Sequence, residues 1–211
     1  MQNMFGLLSS MKVNSFDYWD TGLHEFHPLV ESPLQEFRFK VSHPSDLENS
    51  HVRTSKKIVI TRYVYNEPDI WLETHKNLPN QEVIVDRVID DLHDNSILDL
   101  IEYWKETRGA VESSFSICKE IGDTMEMFLE NVKIRFQGSL VKSGQTDKST
   151  STKIKSVSIK IDSVSKIVVY GNTHIQTARD SKVLIKVMAV ESSEEVSELI
   201  LKHFYDIRDY L

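Results

Sequence analysis

The chain has 211 residues, 40% of them hydrophobic and 27% charged, with 25 basic and 32 acidic side chains, a net charge of −7 and one cysteine, Cys118. That composition excludes a collagen-like, disordered or disulfide-stapled chain, and the length is ample for a real core. A lone cysteine, no secretion signal over residues 1–13 and no apolar run near the ~20 residues that cross a bilayer together predict a soluble, cytoplasmic protein without membrane contact.

Residues 1–33 read as an irregular aromatic and acidic arm, in which Phe16, Tyr18, Trp19 and Phe26 stand among Asp17, Asp20, Glu25 and Glu31. From Leu34 to Val41 the pattern has period two, with Phe37, Phe39 and Val41 on one side and Glu36, Arg38 and Lys40 on the other; this predicts a half-buried strand. A polar loop over 44–56, a second strand over 58–65 and a short third strand over 70–73, bracketed by Pro68 and Pro79, follow. Three helices are expected next. The first follows Asn80 with the stripe Ile84, Val85, Val88, Ile89 and Leu92. The second follows a Ser96–Asp99 capping box and carries Ile97, Leu100, Ile101 and Trp104. The third runs over 110–131, with Cys118 on its core stripe.

Beyond it the period returns to two, in a five-strand meander. Ile134, Phe136 and Leu140 mark its first strand, and Gly171-Asn172 reads as a two-residue hairpin turn. Residues 143–152 form a polar loop. The stripe Val196, Leu199, Ile200, Phe204, Ile207 and Leu211, with a Ser192–Glu195 capping box, predicts a closing helix. Grouped strands and grouped helices point to an α+β fold: an antiparallel meander with additional N-terminal strands, three central helices and a C-terminal helix packed on the sheet. The expected organisation is the arm, 1–33, and one α+β domain, 34–211, with a subdivision near 109–132.

Charge is uneven. Residues 133–190 hold 11 Lys and Arg against three Asp, leaving 14 basic and 29 acidic residues elsewhere. Arg135, Lys160, Lys166, Lys182 and Lys186 fall on polar positions of the expected strands, which would form a positive face able to neutralise phosphates. Only Phe136 and Tyr170 are aromatic in this stretch, so stacking platforms for single strands are nearly absent. The same cations also serve to complement the acidic half or to discourage edge pairing.

No catalytic motif is present, and no metal or cofactor is expected. Asp86, Asp90 and His93 would share one helix side, but opposite its apolar stripe, where a solvated face is normal. His24, His27, His43 and His51 cluster within 28 residues without a scaffold to fix ligand geometry. The arm's aromatics, Phe16, Tyr18, Trp19 and Phe26, are of the type that anchors interfaces. The reading is therefore a non-enzymatic binding protein with another protein as partner. The alternative is a nucleic-acid binder using 133–190, and an enzyme with a dispersed site comes third.

Overall fold

The computed structural model describes residues 15–17, 33–63, 68–86, 94–119, 125–141, 153–173 and 181–192. The fold is α+β. Nine strands form one sheet among these residues, in the order β1-β2-β3-β4-β5-β9-β8-β7-β6. The strands are β1 (Ser15–Asp17), β2 (Glu36–Val41), β3 (Lys57–Tyr63), β4 (Glu82–Val85), β5 (Ser114–Lys119), β6 (Ser139–Val141), β7 (Lys153–Lys160), β8 (Ser165–Thr173) and β9 (Ser181–Ala189). β1 to β5 run parallel, with short helices in the connections; β5 then pairs antiparallel with β9, and β9 to β6 form an antiparallel meander.

The helices are α1 (Ser50–Thr54), α2 (Pro68–His75), α3 (Asp94–Thr107) and α4 (Met125–Phe136), with a 3-10 turn at Pro44–Glu48. Their buried side chains, including Leu47, Val52, Trp71, Ile97, Ile101, Phe128 and Val132, all join one core with Phe37, Ile58, Val85, Ile117, Val169 and Ile185 from the strands. The described helices thus lie over one face of the sheet. On the other face of β7, β8 and β9, a second apolar cluster is made of strand residues alone: Ile154, Val168, Tyr170, Leu184 and Met188.

Several expectations change. The helix after Asn80 is instead β4 as far as Val85, because Val83, Ile84 and Val85 are buried in succession. A parallel strand covered on both sides reads as an unbroken apolar run, which mimics part of a helical stripe. Residues 70–73 belong to α2, and Pro68 is its first residue, where a missing N–H costs nothing. The segment 44–56 is not loop but the 3-10 turn and α1; His43 and Asn49 cap them. Helix α3 is already formed at Asp94 and Asn95, so Ser96 is not its cap, although Ile97, Leu100 and Ile101 are buried as expected. The third helix is split. Phe115 and Ile117 face the core and alternate with Ser114, Ser116 and Cys118 in β5, and α4 then runs through Phe136. Ile134 and Phe136 are therefore helical. Residues 87–93, the loop expected over 143–152 and the helix expected after Ser192 lie outside the described residues, as does most of the arm.

Gly171-Asn172 is not a turn; β8 passes straight through it. The glycine serves close approach. A Cβ at Gly171 would lie 2.4 Å from Met125 Sδ and 3.1 Å from Leu129 Cδ1, so its absence lets α4 settle against β8. Under α2, His75 is fully buried against Trp71, with ring centroids 4.6 Å apart. Its Nδ1–H donates to the Trp71 carbonyl at 2.6 Å, which fixes the tautomer and leaves Nε2 to accept from the Tyr63 hydroxyl.

Two stability predictions follow from these contacts. Gly171→Val should lower stability by about 1–3 kcal/mol in urea melts, and Met125→Ala in the same chain should recover part of the loss. Burial pushes the His75 imidazole down to about 4, against the opposing effect of the Trp71 bond. The folded value lies below the unfolded one, so the unfolded chain takes up the proton first. Stability should therefore be full above pH about 6.5 and fall by about 3 kcal/mol as pH drops toward about 4. His75→Phe should flatten that part of the stability–pH profile.

Candidate functional site

Among the described residues, five cations of the basic stretch are engaged within the chain. Arg135 stands on α4, not on a strand, and its guanidinium binds Asp99 of α3 at 2.7 Å and also Glu102. Partial burial works against its charge, but the two carboxylates outweigh it and raise its pKa. Lys186 reaches Glu112 at 3.0 Å, Lys155 reaches Glu126 at 2.6 Å, and Lys133 reaches Glu130 at 2.7 Å. Lys166 and Lys182 do not point freely outward: they are 6% and 9% exposed. The Lys166 ammonium donates to the carbonyls of Val190, at 3.1 Å, and Ser192, at 2.8 Å. Of the five expected phosphate contacts, Lys160 alone is both on a strand and exposed. The polar phase of a strand identifies a face but not what covers it, and that is why the pattern overstated the cationic surface.

The parallel half shows the same self-neutralisation. Glu36 accepts from Arg38 Nε at 2.8 Å and lies 3.1 Å from Lys57 Nζ, which is also 3.9 Å from Glu82. Glu36, Lys57 and Glu82 are register partners on β2, β3 and β4, so opposite charges alternate across the sheet. Burial raises the Glu36 carboxyl, but Arg38 and Lys57 together hold it below its ordinary value.

The other sequence candidates separate. Phe16 lies in β1, at the register position of Phe37, so the arm's backbone joins this chain's own sheet there. Tyr18, Trp19 and Phe26 lie outside the described residues, as do His24, His27, Asp90 and His93. His51 is buried on α1, and exposed His43 caps the 3-10 turn. Cys118 is on β5, on the face away from the helices, and not on a helical core stripe. Among the described residues no three His, Cys, Asp or Glu come together as a metal site. No described helix is long and apolar enough to cross a membrane.

An apolar apex missed by the pattern forms at one end of the sheet. Val164 is 67% exposed in the β7–β8 turn, Val111 is 48% exposed before β5, and Val190 is 41% exposed after β9. Backbone bonds hold these segments together: Val190 N–H donates to Val164 O, Glu112 N–H to Val187 O, and Val187 N–H to Ser113 O, each at 2.9 Å. The turn is fixed by Asp162, whose Oδ1 accepts from Val164 N–H at 2.9 Å, Ser165 Oγ at 2.9 Å and Ser165 N–H at 2.8 Å. Those donors, the Val164 amide first, pull its pKa down, so the carboxylate persists below the usual aspartate range. On the neighbouring connection Arg108 and Glu112 adopt φ of 54° and 71°. Left-handed backbone at non-glycine residues is held only where surroundings dictate it. The backbone at this apex is thus braced, and three exposed valines lie in the connections there. Three valines from segments about 25 residues or more apart in the chain leave no local signature.

Asp162→Ala should raise amide exchange at Val164 and Ser165 by about fivefold or more without unfolding the sheet, while Asp162→Asn, which keeps an acceptor, should raise it less. Exchange measured by NMR on the folded chains checks this.

No curated protein and no solved structure matches the chain. A family described as a domain of unknown function (DUF3557) matches residues 8–123, which takes in the parallel strands β1 to β5 with α1, α2 and α3. With more than half of its length matched, the chain belongs to the DUF3557 family.

Proposed function

We propose that this chain is a non-enzymatic protein-binding module, whose apex of Val111, Val164 and Val190 contacts another protein. The observation that carries this reading is that three exposed valines, from three connections at one end of the sheet, stand beside a braced turn. Solvent-exposed valines at the tip of a rigid element provide contact area without an ordering cost. The chain's net charge of −7, with many of its described cations already paired, favours a partner that surrounds an apolar patch with basic groups. Tyr18 and Trp19 of the arm are the second candidate anchors, and the single cysteine fits work in a reducing compartment such as the cytoplasm.

Nucleic-acid binding through 133–190 is the alternative. Against it stands the engagement of Arg135, Lys166 and Lys186 by groups of this chain. Gel shifts at about 50 mM salt with random duplex and single-stranded probes should show no complex at micromolar protein. A shift weakened by Lys160→Glu would establish the alternative.

The protein reading is tested by affinity capture with wild-type chain, Val164→Glu and Trp19→Ala, each verified as folded by circular dichroism. A specific partner retained by wild type, and lost with Val164→Glu, is the expected outcome; the affinity should fall about tenfold or more. Loss with Trp19→Ala alone would move the contact to the arm. Equal capture by all three chains would mean that neither surface is the interface.

A further inference from the structure

Across β2, β3 and β4 opposite charges meet in one register row, Glu36, Lys57 and Glu82, and like charges meet in another. The second row pairs Lys40 of β2 with Arg62 of β3. Neighbouring strands lie about 4.8 Å apart, so two cations stand side by side. Like charges directly opposite each other oppose the pairing that places them there. Among the described residues neither Lys40 nor Arg62 makes an ion pair, with Asp86 after β4 or with any other carboxylate. We infer that Lys40 and Arg62 form a binding site for the dianion of a phosphate monoester, at the carboxyl ends of the parallel strands.

The pair exists because of an irregularity in the sheet. Phe39 stands opposite Ile60, but the next residue, Lys40, stands opposite Arg62. An unbroken ladder would set Thr61 against Lys40 and turn Arg62 toward the side of Val41, which belongs to the core. Thr61 is instead the extra residue, and its hydroxyl donates to the Phe39 carbonyl at 3.2 Å. The shift brings Tyr63 into the core opposite Val41 and sets Arg62 beside Lys40 on the face away from the described helices. Bulges are rare in parallel pairs, and beside functional sites they re-aim a side chain.

Position and chemistry both suit a small dianion. Lys40 and Arg62 are the penultimate residues of β2 and β3, at the end where open parallel sheets take their ligands. Arg62 is exposed, and Lys40 is half-buried. A guanidinium offers a planar fork to two phosphate oxygens, and an ammonium adds a point charge for a third. Two cations balance the nearly two charges of a phosphate monoester, whereas a carboxylate or a phosphodiester brings only one. A long polyanion is opposed further by the chain's net charge of −7. The site lies on other elements than the valine apex and does not depend on it.

Titration of the full wild-type chain with inorganic phosphate, at constant ionic strength and followed by NMR, tests the site. The side-chain resonances of Lys40 and Arg62 should shift saturably. Arg62→Gln and Lys40→Gln, each verified as folded, should weaken binding by about fivefold or more. Lys57→Gln, which removes a cation of the same face already engaged by Glu36 and Glu82, should change it by less than about twofold. A short neutral peptide carrying one phosphoserine separates the sources: tighter binding than inorganic phosphate means a protein-borne phosphate, and equal binding a free one. The inference is overturned by the absence of a saturable shift in the wild-type chain, or by an equal loss with Lys57→Gln. Equal binding of the same peptide with glutamate in place of phosphoserine would overturn it too.

Discussion

The structure depends on the ladder between β5 and β9. Six register pairs, from Ser114 with Lys186 to Lys119 with Ser181, join a parallel array to an antiparallel meander. Phe115 and Ile117 meet Ile185 and Val183 across that seam, so the core beneath the helices continues from Leu34 to Val187 without a break. The short parallel strands would otherwise end in an open edge of unpaired backbone groups. Parallel pairing also needs crossover connections, which is why the helices gather on one side of the first half.

The family boundary sits close to that seam. The matched segment, 8–123, stops just after β5, whereas the strand that completes β5 begins at residue 181. In this chain the family segment and the meander are therefore hydrogen-bonded to each other, and each supplies an edge to the other. A change at the ladder is felt by both.

What was legible in the sequence follows the periodicity. β2 was evident because Phe37, Phe39 and Val41 are buried while Glu36, Arg38 and Lys40 are less so, which is strict alternation. β7 alternates in the same way, β8 and β9 show as apolar, β-branched runs, and the stripe of α3 shows at helical spacing. β4 was hidden because a strand covered on both faces loses its alternation, and β5 because Ser114, Ser116 and Cys118 are too small to mark a polar phase. Gly171 misled because a glycine needed for packing and a glycine needed for a turn look alike in one sequence. The cations were legible by position but not by role: burial of Lys166, and pairing of Arg135 with α3, depend on residues far away in the chain. The valine apex depends on three separate connections and has no pattern to detect.

The alternating row of Glu36, Lys57 and Glu82, and the carboxylates that hold Arg135 and Lys186, have a consequence at long range. Paired charges cancel as dipoles a few ångströms across, and their fields die away quickly in salt water. What survives at a distance of about 10 Å is the uncompensated surplus, which for a chain of net −7 is negative. That surplus opposes the approach of a polyanion and favours that of a polycation, more so at low salt. The rate of encounter, and its decline with ionic strength, is thus fixed less by the basic stretch than by the acidic remainder of the chain.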